Sequence, residues 1–181
     1  IGFSLYSEYL RRTLEDIAES GADRKTDFVT TIPSTMDLKL NVPALFPEAY
    51  LPDVHARLIF YKRIAAATDI NELYELQLEA LDRFGPLPRP AKSLFRLHKL
   101  QLYCDSLGIK KFKLDQAEGL LEFGCSPAVD PRLLLMVIDE QPGVFRMRDG
   151  QRLHIKKPQT DAEERLQFAE RLLDQLCPNN N

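Results

Sequence analysis

Four carboxylates, Glu72, Glu75, Glu79 and Asp82, follow one another at i, i+3, i+7 and i+10. At 3.6 residues per turn that spacing confines them to an arc of about 80° on a helix. Like charges three and four residues apart repel, so an isolated helix gains nothing from such a ridge. A second series, Arg89, Lys92, Arg96 and Lys99, repeats the spacing with the opposite sign beyond a short turn. Two chemistries fit the pair of stripes. The acidic ridge can face the basic stripe across a helix hairpin, or be solvated, or it can present carboxylates to arginines of another module, with Glu79 and Asp82 foremost and Glu72 and Glu75 beside them. The basic stripe could alternatively meet phosphates, which keeps a nucleic-acid-binding accessory module open as a second reading.

Chemistry of other kinds is poorly represented. The eight glycines are scattered, and neither G-x-x-x-x-G-K-[ST] nor G-x-G-x-x-G is present to cradle a nucleotide phosphate. His55, His98 and His154 stand singly, with no H-E-x-x-H and no C-x-x-C, so no metal-ligand spacing is seen and no cofactor is expected. Cys104, Cys125 and Cys177 are odd in number and far apart, which favours free thiols in a reducing compartment, with the cytoplasm the expected location. Cys104 falls on the apolar side of a helical pattern, where cysteine acts as a small hydrophobe. Phe60, Tyr61, Phe84 and Phe95 are expected to pack rather than to stack on bases.

The elements that must position the two stripes are legible from periodicity. The acidic ridge lies on a helix of about 70–83, the basic stripe on one of about 90–106, and Phe84-Gly85-Pro86-Leu87-Pro88 between them breaks any regular helix. Upstream, Asp53 can cap a helix whose Val54, Leu58, Tyr61 and Ala65 share a face. Met36, Leu38, Leu40 and Val42 alternate with polar residues, the pattern of a strand with one buried side. Downstream, strands are expected near 109–114, 120–123, 144–147 and 153–156, with a helix near 131–140. A last helix is signed by Thr160 and Glu163 as a capping box, with Ala162, Leu166, Ala169, Leu173 and Leu176 inward. Helices and strands come in blocks, which indicates an α+β fold, helices around a small, mostly antiparallel sheet. The expected organisation is a helical link over 1–21, a polar connector over 22–35, and one compact domain over 36–181.

Composition agrees with a globular domain: 44% of the 181 residues are hydrophobic and 28% charged. The net charge of −3, from 24 basic and 27 acidic residues, supplies no global field for a nucleic-acid backbone, and no continuous basic face is visible along the chain. The longest apolar runs fall far short of the ~20 residues of a membrane helix. The opening residues already follow a helical pattern, with Phe3, Tyr6, Leu10, Leu14 and Ile17 in step, as expected of a piece of a longer protein whose apolar face there seeks a partner.

Several runs carry a family resemblance. Gly2-Phe3-Ser4-Leu5-Tyr6, then Leu51-Pro52-Asp53-Val54 with Arg57-Leu58 and Tyr61-Lys62-Arg63-Ile64-Ala65, then E-A-L-D-R-F-G over 79–85, and Leu107-Gly108-Ile109 stand in order along the chain. In these the chain resembles the C-terminal part of the bacterial transcription-repair coupling factor family. The resemblance implies a non-catalytic, autoinhibitory domain of a protein that works in transcription-coupled nucleotide excision repair. In that family it folds back on a UvrB-like N-terminal module, masks UvrA recruitment and restrains an ATP-driven DNA translocase until RNA polymerase is engaged. It places acidic contacts on Glu79 and Asp82, with Arg57 and Arg63 as secondary interface candidates.

Overall fold

The computed structural model describes residues 36–156 and 161–177. The helical link, the connector and Thr160 of the expected capping box lie outside these residues. In chain order the elements are β1 (Asp37–Lys39), α1 (Val54–Ala66), α2 (Ile70–Phe84), α3 (Arg89–Ser106), β2 (Ile109–Leu114), β3 (Gly119–Phe123), α4 (Pro131–Glu140), β4 (Phe145–Arg148), β5 (Arg152–Ile155) and α5 (Ala162–Leu176). The strands form one sheet in the order β1-β2-β3-β5-β4. β1 joins its edge parallel to β2, and every other pairing is antiparallel. The α+β class read from the sequence is therefore the observed one.

Local chemistry explains most boundaries. Asp53, Asp69, Asp130 and Asp161 each accept a backbone N–H at the start of α1, α2, α4 and α5, satisfying donors that have no partner within the helix. The cap of the last helix is thus Asp161, which accepts from Glu163 N at 2.9 Å and Glu164 N at 3.3 Å. α2 and α3 end at Gly85 and Gly108, whose φ of 82° and 69° suit a residue without a side chain. Pro at the first helical position opens α4, where its missing N–H costs nothing.

Two apolar cores share one helix. In the first, Phe46, Phe60, Ile64, Leu73, Leu76 and Ala80 pack against Ala91, Leu94 and Phe95 from the first half of α3. In the second, one side of the sheet, including Leu38, Phe112, Leu121, Leu153 and Ile155, packs against Leu100 and Cys104 from the second half of α3 and against α5 through Leu166, Ala169 and Leu173. The inward face of α1 differs from the expected one: Phe60, Tyr61 and Ile64 are buried, whereas Val54, Leu58 and Ala65 are only partly so. This helix carries apolar residues on several sides, so period alone does not choose between faces. The aromatic cluster does, with Phe46 and Phe84 each 5.7 Å from the Phe60 ring. Among the described residues no helix is long and apolar enough to cross a membrane.

Candidate functional site

The residues singled out by spacing converge on α2, and the structure divides them into two groups. Glu72 serves the helix itself, its carboxylate accepting Thr68 N at 2.8 Å while Asp69 caps the first turn. Glu79 bridges two helices. It binds Arg63 of α1 at 2.6 Å and Arg83 one turn further along α2 at 2.8 Å. Both guanidinium groups lie 5.7 Å from the centre of the Phe60 ring, and that of Arg83 also lies 5.0 Å from Phe84, so the charges rest on an aromatic floor. Burial raises the pKa of Glu79, but hydrogen bonds from Arg83 and Arg63 outweigh it and hold the carboxyl below its ordinary value. Arg57, the other basic candidate, donates to the carbonyls of Leu51 at 2.7 Å and Pro52 at 3.3 Å and so fastens the turn before α1.

Glu75 and Asp82 differ. Both are exposed, and neither forms an ion pair with a described residue. The basic stripe of α3 does not meet them. Arg96 turns instead to α5, holding Glu170 through two hydrogen bonds of 2.7 and 2.6 Å and Glu163 through one of 2.7 Å. The ammonium of Lys99 sits 5.6 Å above the Tyr103 ring, and Arg89 and Lys92 are exposed. No ion pair among the described residues joins the ridge to the stripe, so the charge ladder expected as one alternative is not formed. The common spacing gave both helices charged faces, but the hairpin packs through Leu73, Leu76 and Ala80 against Ala91 and Leu94.

Beside the acidic ridge lies a feature that the reading of charges alone missed. Ile70, Tyr74, Leu78 and Leu81 are 37%, 59%, 44% and 45% exposed. Their spacing of i, i+4, i+8 and i+11 gathers them within an arc of about 80°, next to the carboxylates and opposite the buried Leu76 and Ala80. That spacing was a detectable signal, because α2 carries a second apolar stripe besides the one it buries against α1 and α3. An apolar strip edged by exposed carboxylates is suited to holding another protein surface: the strip supplies buried area, and the rim charges select orientation.

Among the described residues nothing comparable gathers groups for catalysis. An open depression is lined by Asn41, Asp115, Gln116, Ala117 and Arg165, where Arg165 is turned to the carbonyls of Leu40 and Asn41 at 2.9 and 2.8 Å. Among the described residues no group of three or more His, Cys, Asp and Glu side chains is placed to hold a metal ion.

Comparison with known proteins places the chain in a family. Residues 40–134, just over half of the chain, match the family model described as the TRCF domain. The chain is 34% identical over 179 residues to the transcription-repair-coupling factor of Escherichia coli (strain K12), covering 99% of this chain and 15% of that protein. It is 36% identical over 173 residues to the protein of the same name from Haemophilus influenzae, covering 96% and 15%. The chain thus spans about 15% of the length of these relatives. Among solved structures, the crystal structure of the C-terminal domain of transcription-repair coupling factor superposes with a TM-score of 0.59 at 22% identity, covering 78% of this chain and 93% of that one.

Proposed function

The chain belongs to the transcription-repair coupling factor family and has the fold of its C-terminal domain, and from that premise we propose that it is a non-catalytic clamp which restrains the rest of its own protein. The outward face of α2 docks on the UvrB-like N-terminal module, covers the surface that recruits UvrA, and holds the ATP-driven DNA translocase in check until RNA polymerase is engaged. The observation that supports this reading is the exposed strip of Ile70, Tyr74, Leu78 and Leu81 beside Glu75 and Asp82, which have no ion-pair partner among the described residues. Such a contact need not be strong by itself. Tethered in one chain, it operates at an effective concentration in the millimolar range, so a weak interface suffices to exclude a competitor. Release then requires only a partner that binds the open form better than the closed one.

The internal pairing of Glu79 refines the roles within the motif. Glu79 sets the angle between α1 and α2 through Arg63 and Arg83, while Asp82 and Tyr74 make the contact. The test is UvrA capture by the full-length protein carrying Tyr74→Ala with Asp82→Ala. UvrA capture should rise severalfold, and the melting temperature of the present chain should move little, because exposed substitutions away from caps and cores usually change stability by less than about 0.5 kcal/mol. Unchanged capture by a variant that still folds defeats the proposal.

A further inference from the structure

The side of the sheet turned away from the helices carries a concentration of positive charge that only the strand register assembles. Residues directly opposite one another define two rows across all five strands. One runs Asp37, Lys111, Glu122, Arg152 and Arg148; the other runs Lys39, Lys113, Leu120, His154 and Arg146. Together they place six Lys or Arg side chains against two carboxylates, a surplus of four in a chain whose net charge is −3. The second row contains no acid at all. The two carboxylates are already shared: Asp37 lies 3.6 Å from Lys39 and 3.5 Å from Lys113, and Glu122 lies 3.7 Å from Arg152. Lys111, Arg146 and Arg148 have no carboxylate partner among the described residues, and both arginines are exposed.

Fold stability accounts for part of this arrangement, since Asp37 bridges the facing Lys39 and Lys113, and Arg152 lies 3.7 Å from Glu122 and 4.0 Å from Asp149. Arg148 nevertheless faces Arg152 directly, and like charges across a ladder are unfavourable. Leu120 is the single apolar side chain in the two rows and the imidazole of His154 the single ring, so the surface offers neither an apolar patch for a protein core nor an extended platform for stacking bases. It offers cations on both sides of β3, three from β1 and β2 and three from β4 and β5, across four interstrand spacings, about 19 Å. Duplex DNA carries about one negative charge per 1.7 Å of its axis, both strands counted, so a face of that length lies against several phosphates, those turned toward it.

We propose that this sheet face is a sequence-independent docking surface for the phosphate backbone of duplex DNA, separate from the acidic and apolar face of α2. The probe is a 20-base-pair duplex of arbitrary sequence, titrated against the present chain over a range of salt concentrations. Neutralising about four phosphates gives a slope of log K against log salt of about −3 to −4. Lys111→Ala, Arg146→Ala and Arg148→Ala together should weaken binding at least tenfold at low salt and reduce the slope to about −1. Arg89→Ala with Lys92→Ala on α3 should bind as the parent does. Arg146→Gln with Arg148→Gln, confined to the edge strand, replaces the triple variant if that one melts early, with an intermediate slope expected. Three results overturn the proposal: no binding at low salt, equal loss in the sheet and α3 variants, or polyglutamate of matched charge binding more tightly than the duplex, which would make the face a site for an acidic protein.

Discussion

Replacing Arg96 with alanine tests the packing of the whole domain at one point. Its guanidinium joins α3 to α5 by three charge-assisted hydrogen bonds, two to Glu170 and one to Glu163. Side-chain exposure is 29% for Arg96, 31% for Glu170 and 51% for Glu163, so the two arms are unequal. The Glu170 arm is bidentate and shielded, and should contribute about 1.5 kcal/mol, the lower end for hydrogen bonds to charged groups. The Glu163 arm is half in water and should contribute about 0.5 kcal/mol. A loss of about 2 kcal/mol corresponds to a melting temperature lower by roughly 4–8 °C in a domain of this size. In 1 M salt, where the Debye length is about 3 Å, the Glu163 arm should fade and the Glu170 arm largely persist.

The pH dependence has a definite sign. Glu163 is held below its ordinary value, first by the hydrogen bond from Arg96 and then by that from Gln167. Its stabilisation is therefore present above the unfolded carboxyl value of about 4.3 and disappears as pH falls through the lower folded value. The gap between parent and Arg96→Ala should narrow below about pH 4. Thermal melts of the parent, Arg96→Ala, Glu170→Gln and the double variant give the coupling energy directly, expected at about 1 kcal/mol or more. A single variant melting within about 1 °C of the parent, or a coupling near zero, would show that apolar contacts alone hold α3 to α5.

Three further outcomes are expected. Gly119→Ala should destabilise by about 1–3 kcal/mol in a denaturant titration, because the added methyl would meet the Leu114 side chain and sit 3.0 Å from the Lys113 carbonyl oxygen. His98 is partly buried, with Nε2 3.1 Å from the Ala67 carbonyl, and burial outweighs that hydrogen bond to lower its pKa. The unfolded chain therefore binds the proton better, so stability should fall as pH drops below about 6.5, and His98→Gln should flatten that part of the profile. Under native conditions a maleimide should modify the exposed Cys125 rapidly and Cys104 only on unfolding, since Cys104 is fully buried and burial pushes its thiol up. Mass spectrometry after a short pulse distinguishes them, and early labelling of Cys104 would show that the sheet core opens.

What could be read from the sequence was whatever a single element reveals by itself. β2 and α4 have the expected spans of 109–114 and 131–140 because one-sided burial imposes a period on each, and the side chains of Met36, Leu38, Leu40 and Val42 are all buried as the alternation requires. What could not be read depends on which element lies alongside. The spacing of Arg89, Lys92, Arg96 and Lys99 fixes a direction around a helix axis, yet the partners of Arg96 stand 67 and 74 residues later on α5. The parallel pairing of β1 with β2 joins Leu38 to Phe112 with no local signal. The basic face was missed for the same reason, since most strands supply only one or two cations and the register alone brings them into rows.

The division of α3 between two cores connects these observations. Ala91, Leu94 and Phe95 hold the helix in the core that presents the α2 face, while Leu100 and Cys104 hold it in the core beneath the sheet. Arg96 lies between these two groups and binds α5, which belongs to the sheet core alone. A helix of 18 residues is about 27 Å long and kinks sharply only at a proline or a broken hydrogen bond, and the proline of α3, Pro90, lies in its first turn. Force applied at the α2 face therefore reaches the sheet as a displacement of α3 as a whole, resisted at the Arg96 clamp. Under the proposed clamp role such a stiff connection has a use, because a contact on a flexible arm would block a competitor without transmitting load.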